Sequence, residues 1–337
     1  LSIIPKDWEK PVKKMNYRCA KRIIQLANTI GKDIDIHAEQ NPREDANDGF
    51  VRLFVVRQHE GINKDEVEQT IMKIMSKDAE DEKWTGIDAD VKILTLEHKM
   101  AARRLGFDSF FAPFNKVSKY QMTFLQGAVP EIDFFTKIIL PIAESMKGDG
   151  RVALEILKEY SPLLSKQNTE KPYELYLKCR EKAVDVASMV NENKTIREIV
   201  KIISDSQLIN LPNVVDRASN LVSDDVKESD DEELTAWVNT MDLPIEVMRK
   251  YDDYVNHRTR FDTHQGVKGL EFDRVLVIID DSEAKGFMFS YDKLFGVKDL
   301  SDTDKKNRID GKDTSVERTQ RLFYVTCTRA KNSLAVV

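Results

Sequence analysis

The sequence has little of the material from which disulfide frameworks, zinc sites and membrane spans are built. Its three cysteines, Cys19, Cys179 and Cys327, lie far apart and form no C-x-x-C pair, which suits a reducing compartment and excludes a convincing zinc site. No run of ~18 apolar residues occurs, and no signal peptide is visible. We therefore expect a cytoplasmic protein without a membrane partner and without metal ligands of its own.

The phosphate-binding signature of P-loop nucleotide hydrolases is also missing. Gly311-Lys312 is followed by Asp313 rather than Ser or Thr, and the position five before Gly311 is Lys306 rather than Gly, so the pattern of the P-loop fails there. No Asp-Glu pair in a magnesium-binding context is present either. The chain begins at Leu1 rather than Met, and we interpret it as a fragment or a processed protein.

Charge is unevenly distributed along the chain. The formal net charge is −6, and residues 223–233 carry seven acids against one lysine, a surplus that accounts for all of it. We interpret this segment as an exposed linker. Residues 5–22 hold seven Lys or Arg against two acids; this basic stretch is compatible with a surface that faces phosphates and equally with ordinary solvated charge beside a helix.

Hydrophobic periodicity in the first third predicts alternating strands and helices. A chain of 337 residues is long enough for about two domains. The predicted elements are a helix from Ala20 to a stop at Gly31, a strand over 50–57, a helix over 65–75, a strand over 88–96 and a helix over 99–105. This alternation predicts a parallel sheet with both faces covered.

From about residue 107 to 255, helical patterns follow one another without strand signals. They predict helices over 132–146 with a break at Pro141, and over 152–160, 173–190, 196–203, 231–241 and 244–255. The α/β pattern then resumes at Phe261. We therefore expect an α/β domain over residues 1–110 and 256–337 that is interrupted by a mostly helical domain over residues 111–255.

The returning α/β segment contains a buried strand over 274–279 and a polar excursion over 281–313. Thr314 and Glu317 have the spacing of a capping box, which predicts a helix over 315–327. Lys331-Asn-Ser333 is predicted to turn the chain into a closing strand over 334–337.

Three stretches indicate function. Phe261-Asp-Thr-His-Gln-Gly-Val-Lys-Gly-Leu-Glu-Phe272 places a polar, glycine-containing turn just before a β-branched run, as in loops that bind phosphate, although a solvated Gly-Lys turn would look the same. Glu317-Arg-Thr-Gln-Arg-Leu-Phe-Tyr-Val-Thr-Cys-Thr-Arg-Ala330 follows it, and Met15-Asn-Tyr-Arg18 precedes the first amphipathic helix.

In this order, the three stretches resemble motifs IV, V and VI of the UvrD/Rep family of superfamily 1 DNA helicases. The matching elements are Asn16-Tyr-Arg18, Thr263…Lys268-Gly-Leu-Glu-Phe272 and Arg321-Leu-Phe-Tyr-Val-Thr-Cys-Thr-Arg-Ala330, and the last two together are a specific signal. The resemblance implies the family's second RecA-like domain, with a sheet of the P-loop NTPase type, interrupted by a helical 2B-like insertion. It also implies a first RecA-like domain before Leu1 that holds the Walker lysine and the magnesium ligands.

The resemblance assigns catalytic roles to two arginines. Arg18 and Arg329 match the family arginines that enter the ATP cleft and stabilise charge on the transferred phosphoryl group. Arginine suits this role because its planar guanidinium makes paired hydrogen bonds to phosphate and stays charged. Each arginine also has a structural alternative, a salt bridge near a helix end.

Four further residues are implied to bind the nucleotide. Tyr17 matches the position that stacks on adenine, and Glu271 matches the residue that hydrogen-bonds the ribose, while Lys268 and Gly269 belong to the loop that senses nucleotide. The structural alternatives are an ordinary half-buried tyrosine at 17 and a solvated carboxylate at 271.

The loop over 263–269 resembles the family element that touches single-stranded DNA, which makes Thr263, Gln265 and Gly266 the candidate DNA contacts. The chain departs from the family pattern here. Gln265 stands where the commonest members have His, and His264 is shifted by one position. An isolated histidine at 264 is interpreted by default as a plain loop residue.

The resemblance implies the C-terminal half of an ATP- and Mg²⁺-dependent DNA helicase or translocase that moves 3′ to 5′ on single-stranded DNA and acts at junctions with duplex. The implied partners are DNA, the protein's own N-terminal RecA-like domain, and a nuclease or a repair or defence protein. The chain alone is expected to bind nucleotide weakly and to show essentially no ATPase activity. The alternative is a helicase-derived module that binds DNA or a partner protein with weak or no motor activity.

Overall fold

The computed structural model describes residues 14–32, 39–57, 61–164, 172–222, 231–284, 286 and 288–337. The chain divides into two compact units, one formed by Leu1–Ala101 with Thr259–Val337 and the other by Ala102–Arg258. Sequence reasoning placed these limits at 110 and 255. Residues 5–13 of the basic stretch and 223–230 of the acidic stretch lie outside the described residues. Within the described ranges, no helix is long and apolar enough to cross a membrane.

The elements of the N-terminal segment begin with β1 (Met15–Asn16), α1 (Lys21–Gly31), β2 (Asn41–Pro42), β3 (Phe50–Leu53), α2 (Lys64–Asp78), a 3-10 turn (Glu82–Trp84), β4 (Lys92–Thr95) and α3 (His98–Leu105). The helical unit continues with α4 (Asp108–Phe114), 3-10 turns (Ser118–Tyr120 and Phe124–Gln126), α5 (Pro130–Asp133), a π-helical segment (Phe134–Ile139), α6 (Leu140–Ser145), α7 (Arg151–Tyr160), a 3-10 turn (Pro162–Leu164), α8 (Pro172–Asn191), α9 (Ile196–Ser206), α10 (Asn213–Ser219), α11 (Glu232–Thr240) and α12 (Glu246–Val255). The C-terminal segment adds β5 (Phe261–Thr263), β6 (Phe272–Val277), α13 (Asp281–Ala284), α14 (Tyr291–Leu294), α15 (Asp302–Ile309), α16 (Ser315–Cys327) and β7 (Ala330–Val336).

The first unit is built on a five-stranded sheet in the order β3-β7-β6-β4-β5, and every pair in it is parallel. The last strand, β7, lies between β3 and β6, and its residue Ser333 is opposite both Phe50 and Arg274. The strands β1 and β2 form a separate parallel pair. The prediction of an α/β fold with a parallel sheet is confirmed.

The core of this unit lies against the central strands. Val275, Leu276 and Val277 of β6 are completely buried, as expected for a central parallel strand that is covered on both faces. Helix α1 contributes Ile23 and Ile24 to the same cluster, and burial of each such side chain stabilises the fold by roughly 1.5–3 kcal/mol. This shared cluster holds α1 in a fixed position against β6 and β7.

Local sequence rules predicted α16 well and the strands less well. The capping box at Thr314 and Glu317 is present, and the helix has the predicted bounds. The predicted turn at 331–333 is wrong, because these residues belong to β7, which starts at Ala330. Hydrogen bonding to a strand on each side overrides the turn preference of Lys331-Asn-Ser333. The short strand β5 was missed inside what was predicted as a loop.

The second unit is helical, as predicted, and is organised around aromatic side chains. Phe124 stacks on Tyr251 with ring centroids 4.8 Å apart, and Phe114 meets Trp237 edge to face at 4.9 Å. The helix predicted over 132–146 is divided by the π-helical segment, which ends just before Pro141. Because proline has no N–H to donate, a change in the hydrogen-bond pattern at this point is expected.

Candidate functional site

Three distant parts of the chain meet at the amino ends of β6 and β7. The segment before α1 is tied to β7 by the hydrogen bond from the Ala20 N–H to the Lys331 carbonyl (2.7 Å), and the start of β6 is tied to the start of β7 by the bond from the Phe272 N–H to the Arg329 carbonyl (2.9 Å). This arrangement brings Arg18, which precedes α1, together with Glu271 and Arg329. We call Arg18, Glu271, Thr328 and Arg329 the arginine site.

The Arg329 side chain is held at the C-terminal end of α16 by neutral acceptors. Its Nε donates to the Val325 carbonyl (2.9 Å), its Nη1 to the Leu270 carbonyl (3.1 Å) and its Nη2 to the Thr328 hydroxyl (3.3 Å). Val325 O belongs to the last turn of the helix, whose carbonyls lack intrahelical partners. The residue is only 9% exposed, so the guanidinium has a fixed orientation without direct contact to a carboxylate within the described residues.

Arg18 lies beside Arg329 and makes the site's direct ion pair. Its Nε is 3.0 Å from Glu271 Oε2, and its Nη1 donates to the Thr328 carbonyl at 3.3 Å. The Thr328 carbonyl and hydroxyl therefore accept from the two different arginines. The ion pair is half-exposed, so a ligand from solvent can reach it.

The electrostatics of the arginine site reflect an excess of positive charge. Burial lowers the pKa of Arg329, and the nearby positive charge of Arg18 lowers it further, while Glu271 acts in the opposite direction. Two guanidinium groups against one carboxylate leave the site one positive charge in excess. Such a site attracts anions, and it does so strongly where the surroundings are partly desolvated.

Tyr17 is a strongly exposed residue of the predicted site. Its side chain is 73% exposed and directly precedes Arg18, so its ring offers a flat surface to solvent. Exposure of this degree differs from the half-buried tyrosine considered as the structural alternative. The position is compatible with stacking on a planar ligand.

The loop over 263–269 is held from inside by its own side chains. The Asp262 carboxylate accepts from the Thr263 N–H (2.8 Å), and the Thr263 hydroxyl accepts from the Gly266 N–H (3.0 Å). A Cβ on Gly266 would lie 2.3 Å from Asp262 Oδ1, which explains a glycine at this position. The buried Asp262 itself pairs with the partly buried Lys92 (3.4 Å).

This geometry separates the three candidate DNA contacts. Thr263 is buried and its hydroxyl is engaged within the loop, and the Gly266 N–H is engaged with it, whereas the Gln265 side chain is exposed. Lys268 and Gly269 are also exposed, and Gly269 has a positive φ of 91°, a conformation that glycine adopts without strain. Gln265 and Lys268 are therefore the loop side chains that face solvent.

His264 is not the plain loop residue that was predicted. It is completely buried, with Nε2 3.2 Å from the Leu94 carbonyl and Nδ1 3.0 Å from the Tyr291 hydroxyl. Burial lowers its pKa to about 4. A neutral ring with the proton on Nε2 satisfies both contacts, so His264 anchors the loop to the core and is unavailable to DNA.

Sequence reasoning missed three residues of this region. Thr328 binds both arginines, and the buried Cys19 thiol donates to the Thr328 carbonyl at 3.6 Å. Burial raises the pKa of the Cys19 thiol and of the Tyr324 hydroxyl. The positive charges of Arg18 and Arg329 act in the opposite direction on both pKa values. Thr328 and Tyr324 stand inside the quoted motif, so their positions in that pattern were the available signal.

Metal-binding groups are not part of the arginine site. Within the described ranges, no group of three or more His, Cys, Asp or Glu residues is arranged to hold a metal ion. The donors that the site offers are guanidinium N–H groups, which suit phosphate oxygens rather than cations.

Comparison with known proteins adds no relative. A scan against models of protein families finds no match to this chain, and a search of curated proteins finds none either. Function is therefore inferred from the three motifs and from the geometry of the arginine site.

Proposed function

We propose that this chain is the arginine-donating part of an ATP-dependent DNA helicase or translocase of the UvrD/Rep type, with the first unit as its second RecA-like domain. The single observation that carries the proposal is that Arg18 and the almost buried Arg329 both donate to Thr328 and so lie side by side. A purely structural arginine at a helix end explains the bond from Arg329 to Val325. It does not explain why Arg18, which lies 310 positions from Thr328 in sequence, donates to the Thr328 carbonyl directly beside Arg329.

The residues present fit the triphosphate of ATP. Arg329 is oriented by three neutral acceptors, and each of its terminal nitrogens keeps an N–H that no described residue accepts. Arg18 is held by Thr328 and Glu271. ATP supplies the phosphoryl group whose transfer to water drives movement.

The work of this chain in that reaction is electrostatic. Guanidinium groups that are already in place when charge develops on phosphoryl oxygens stabilise it without reorganisation. Tyr17 offers a ring for the base, and Glu271 offers a carboxylate for a sugar hydroxyl. Under this proposal the Walker lysine and the magnesium ligands come from a first RecA-like domain, because this sequence has no P-loop.

The DNA side of the proposal rests on the loop over 263–269. Gln265 and Lys268 face solvent from this loop, and the carbonyl of Leu270 at its end orients Arg329. The loop is thus linked by one hydrogen bond to the proposed phosphate-binding arginine. A single-stranded DNA backbone is the ligand that we assign to it, with salt-sensitive affinity.

The decisive test is ATP hydrolysis by the longer protein that the proposal requires, with and without single-stranded DNA. Arg329→Ala is expected to lower the DNA-stimulated rate by on the order of 10³-fold or more. Arg318→Ala is the matched control, because Arg318 lies on the same helix and also donates to backbone carbonyls, those of Met288 and Asp313. An equal loss in both variants, or no loss in Arg329→Ala, would contradict the proposal.

Two further outcomes are informative. Residues 1–337 without a first RecA-like domain are expected to hydrolyse ATP at background rate only; turnover that disappears in Arg329→Ala would show that they hold a complete active site. DNA binding by the well-folded longer protein without any stimulation of hydrolysis would favour the alternative of a DNA- or partner-binding module.

A further inference from the structure

We propose that the exposed edge of the sheet, formed by residues 50–57, pairs with the same edge of a second copy of this chain. We call this segment the β3 edge. In the dimer the two β3 edges run antiparallel about a twofold axis and join the two five-stranded sheets. The inference is independent of the proposed function, because it uses no residue of the arginine site or of the loop over 263–269.

The first support is that the backbone of the β3 edge is open on one side. β3 pairs with β7, and no strand in the described part of the chain lies on its other side. The Phe54 N–H donates to the Val336 carbonyl (2.8 Å), so Phe54 still faces β7. Because successive residues of a strand direct their backbone groups to opposite sides, those of Val51, Leu53 and Val55 face outward. Such a row of N–H and carbonyl groups is a template for another strand.

The second support is that the side chains of the β3 edge are apolar and accessible. Leu53 is 67% exposed, Val55 87% and Val56 41%. The segment contains neither lysine nor proline, the residues that most often protect a sheet edge from pairing. Its charged side chains are Arg52, which forms an ion pair with α2, and Arg57. An open apolar edge of this kind is where a further strand adds to a sheet.

The third support is that the β3 edge complements itself in one register. Among the antiparallel registers that pair outward-facing residues, the one with Val51 opposite Leu53 also sets Arg52 opposite Arg52 of the second copy. Like charges directly opposite each other destabilise a sheet. The register centred on Leu53 avoids this contact. It sets Leu53 opposite its own counterpart and Val51 opposite Val55, so that apolar side chains face each other across the interface.

The same register brings opposite charges together at both ends of the interface. The exposed Arg57 comes opposite Gly49 of the second copy, next to residues 44–48, which include three acids and no basic residue. Two of these acids, Asp45 and Asp48, are each 76% exposed, and their own ion pairs lie at the surface. Because of the twofold symmetry this contact forms twice. Charge complementarity therefore favours a second copy as the occupant of the edge.

The short β3 edge predicts a weak dimer. Two strands of this length bury an area at the low end of protein–protein interfaces, below about 1,200 Å² in total. The dissociation constant is expected to be on the order of 10–100 μM. The monomer therefore predominates in dilute solution.

The first measurement is sedimentation equilibrium of the chain at concentrations on both sides of this value. Leu53→Lys sets two ammonium groups opposite each other and is expected to raise the dissociation constant about tenfold. Val55→Pro keeps an apolar side chain but removes an N–H that donates across the interface in both copies, and a similar rise is expected. Ile87→Lys is the matched control, because Ile87 is fully exposed outside the β3 edge; its dissociation constant is expected to equal that of wild type.

The second measurement tests the register by cross-linking. All three native cysteines lie in the described part of the chain and are buried, so Leu53→Cys adds an exposed thiol to a chain without others. The Cα atoms of directly opposite residues in a hydrogen-bonded pair are about 5.5 Å apart, a distance that a disulfide spans. With oxidised glutathione, Leu53→Cys is expected to form a covalent dimer, whereas Ile87→Cys stays largely monomeric.

Circular dichroism confirms that each variant is folded, which is expected because the changed side chains are exposed. A dimer weakened by Leu53→Lys and by Val55→Pro but not by Ile87→Lys supports the proposal. A wild type that stays monomeric at concentrations about tenfold above the expected dissociation constant overturns it. A dimer that Val55→Pro leaves as strong as in wild type overturns it too, because strand pairing is then not involved. Equal cross-linking of Leu53→Cys and Ile87→Cys rejects the register and the edge contact with it.

Discussion

The burial of His264 predicts a specific dependence of stability on pH. The ring is completely buried between the Leu94 carbonyl and the Tyr291 hydroxyl, and burial lowers its pKa from 6.5 to about 4. The unfolded chain therefore binds a proton below pH ~6.5 that the folded protein does not bind until pH ~4. Stability is fully present above the unfolded pKa and is lost as the pH falls through this window.

The magnitude follows from linkage. A difference of about 2.5 pKa units corresponds to about 3 kcal/mol of unfolding free energy between neutral pH and pH ~4. Other groups titrate in the same range, so the informative quantity is the difference between wild type and His264→Gln. Glutamine keeps a donor for the Leu94 carbonyl and does not titrate.

The assay is urea unfolding followed by circular dichroism at several pH values between 7 and 4. At neutral pH the wild type is expected to be the more stable protein, and on acidification the difference shifts towards the variant by up to about 3 kcal/mol. His257→Asn controls for the loss of an exposed imidazole, because asparagine tolerates the positive φ of 55° at that position. A difference between wild type and His264→Gln that does not change with pH would refute the reasoning.

Two further substitutions test the loop over 263–269 and the start of α16, where Ser315 donates to Asp304. Gly266→Ala places a Cβ 2.3 Å from the Asp262 carboxylate and is expected to lower the unfolding free energy by about 1–3 kcal/mol; a melting temperature equal to that of wild type would show that the loop is free to move. Asp304→Asn leaves the Lys293 ammonium, 2.6 Å from that carboxylate in a buried setting, without its counterion, and is expected to cost about 3–5 kcal/mol. Burial alone would raise the pKa of Asp304, but the bonds from Lys293 and Ser301 hold it well below its usual range. Acid therefore weakens the contact between Asp304 and Lys293 only far below neutral pH. A urea unfolding midpoint of Asp304→Asn equal to that of wild type would contradict the stabilising role of this ion pair.

Elements governed by local rules were predictable from the sequence. The helix that ends beside Arg329 begins at a capping box formed by Thr314 and Glu317, and this signal lies within four consecutive residues. The amphipathic helix before Gly31 is of the same kind. For such elements the information needed is contained in a few neighbouring residues.

Features decided by distant partners were not predictable. Lys331-Asn-Ser333 has the composition of a turn, and only pairing with β3 and β6 makes it part of a strand. His264 has the composition of a loop residue, and its burial depends on Leu94 and Tyr291, which lie 170 and 27 positions away.

The arginine site was predictable in its motif residues but not in the backbone groups that they contact. The resemblance to helicase motifs pointed to Arg18, Glu271 and Arg329 as one group, and the structure places them together. Their partners are mostly backbone carbonyls, such as those of Leu270 and Thr328, which no side-chain pattern reveals. The catalytic and binding roles of these residues stay predictions.

The position of β7 has a consequence for the order in which the protein forms during synthesis. This strand is the last of the described sheet to leave the ribosome, yet it separates β3 from β6, so β3 has no strand to pair with in that sheet until β7 is made. Residues 102–258 form a continuous unit and can fold earlier, since domains generally fold as they emerge. Arg18 donates to the Thr328 carbonyl, 310 positions later in the chain, so a chain that terminates before Thr328 lacks both Thr328 and Arg329 of the arginine site.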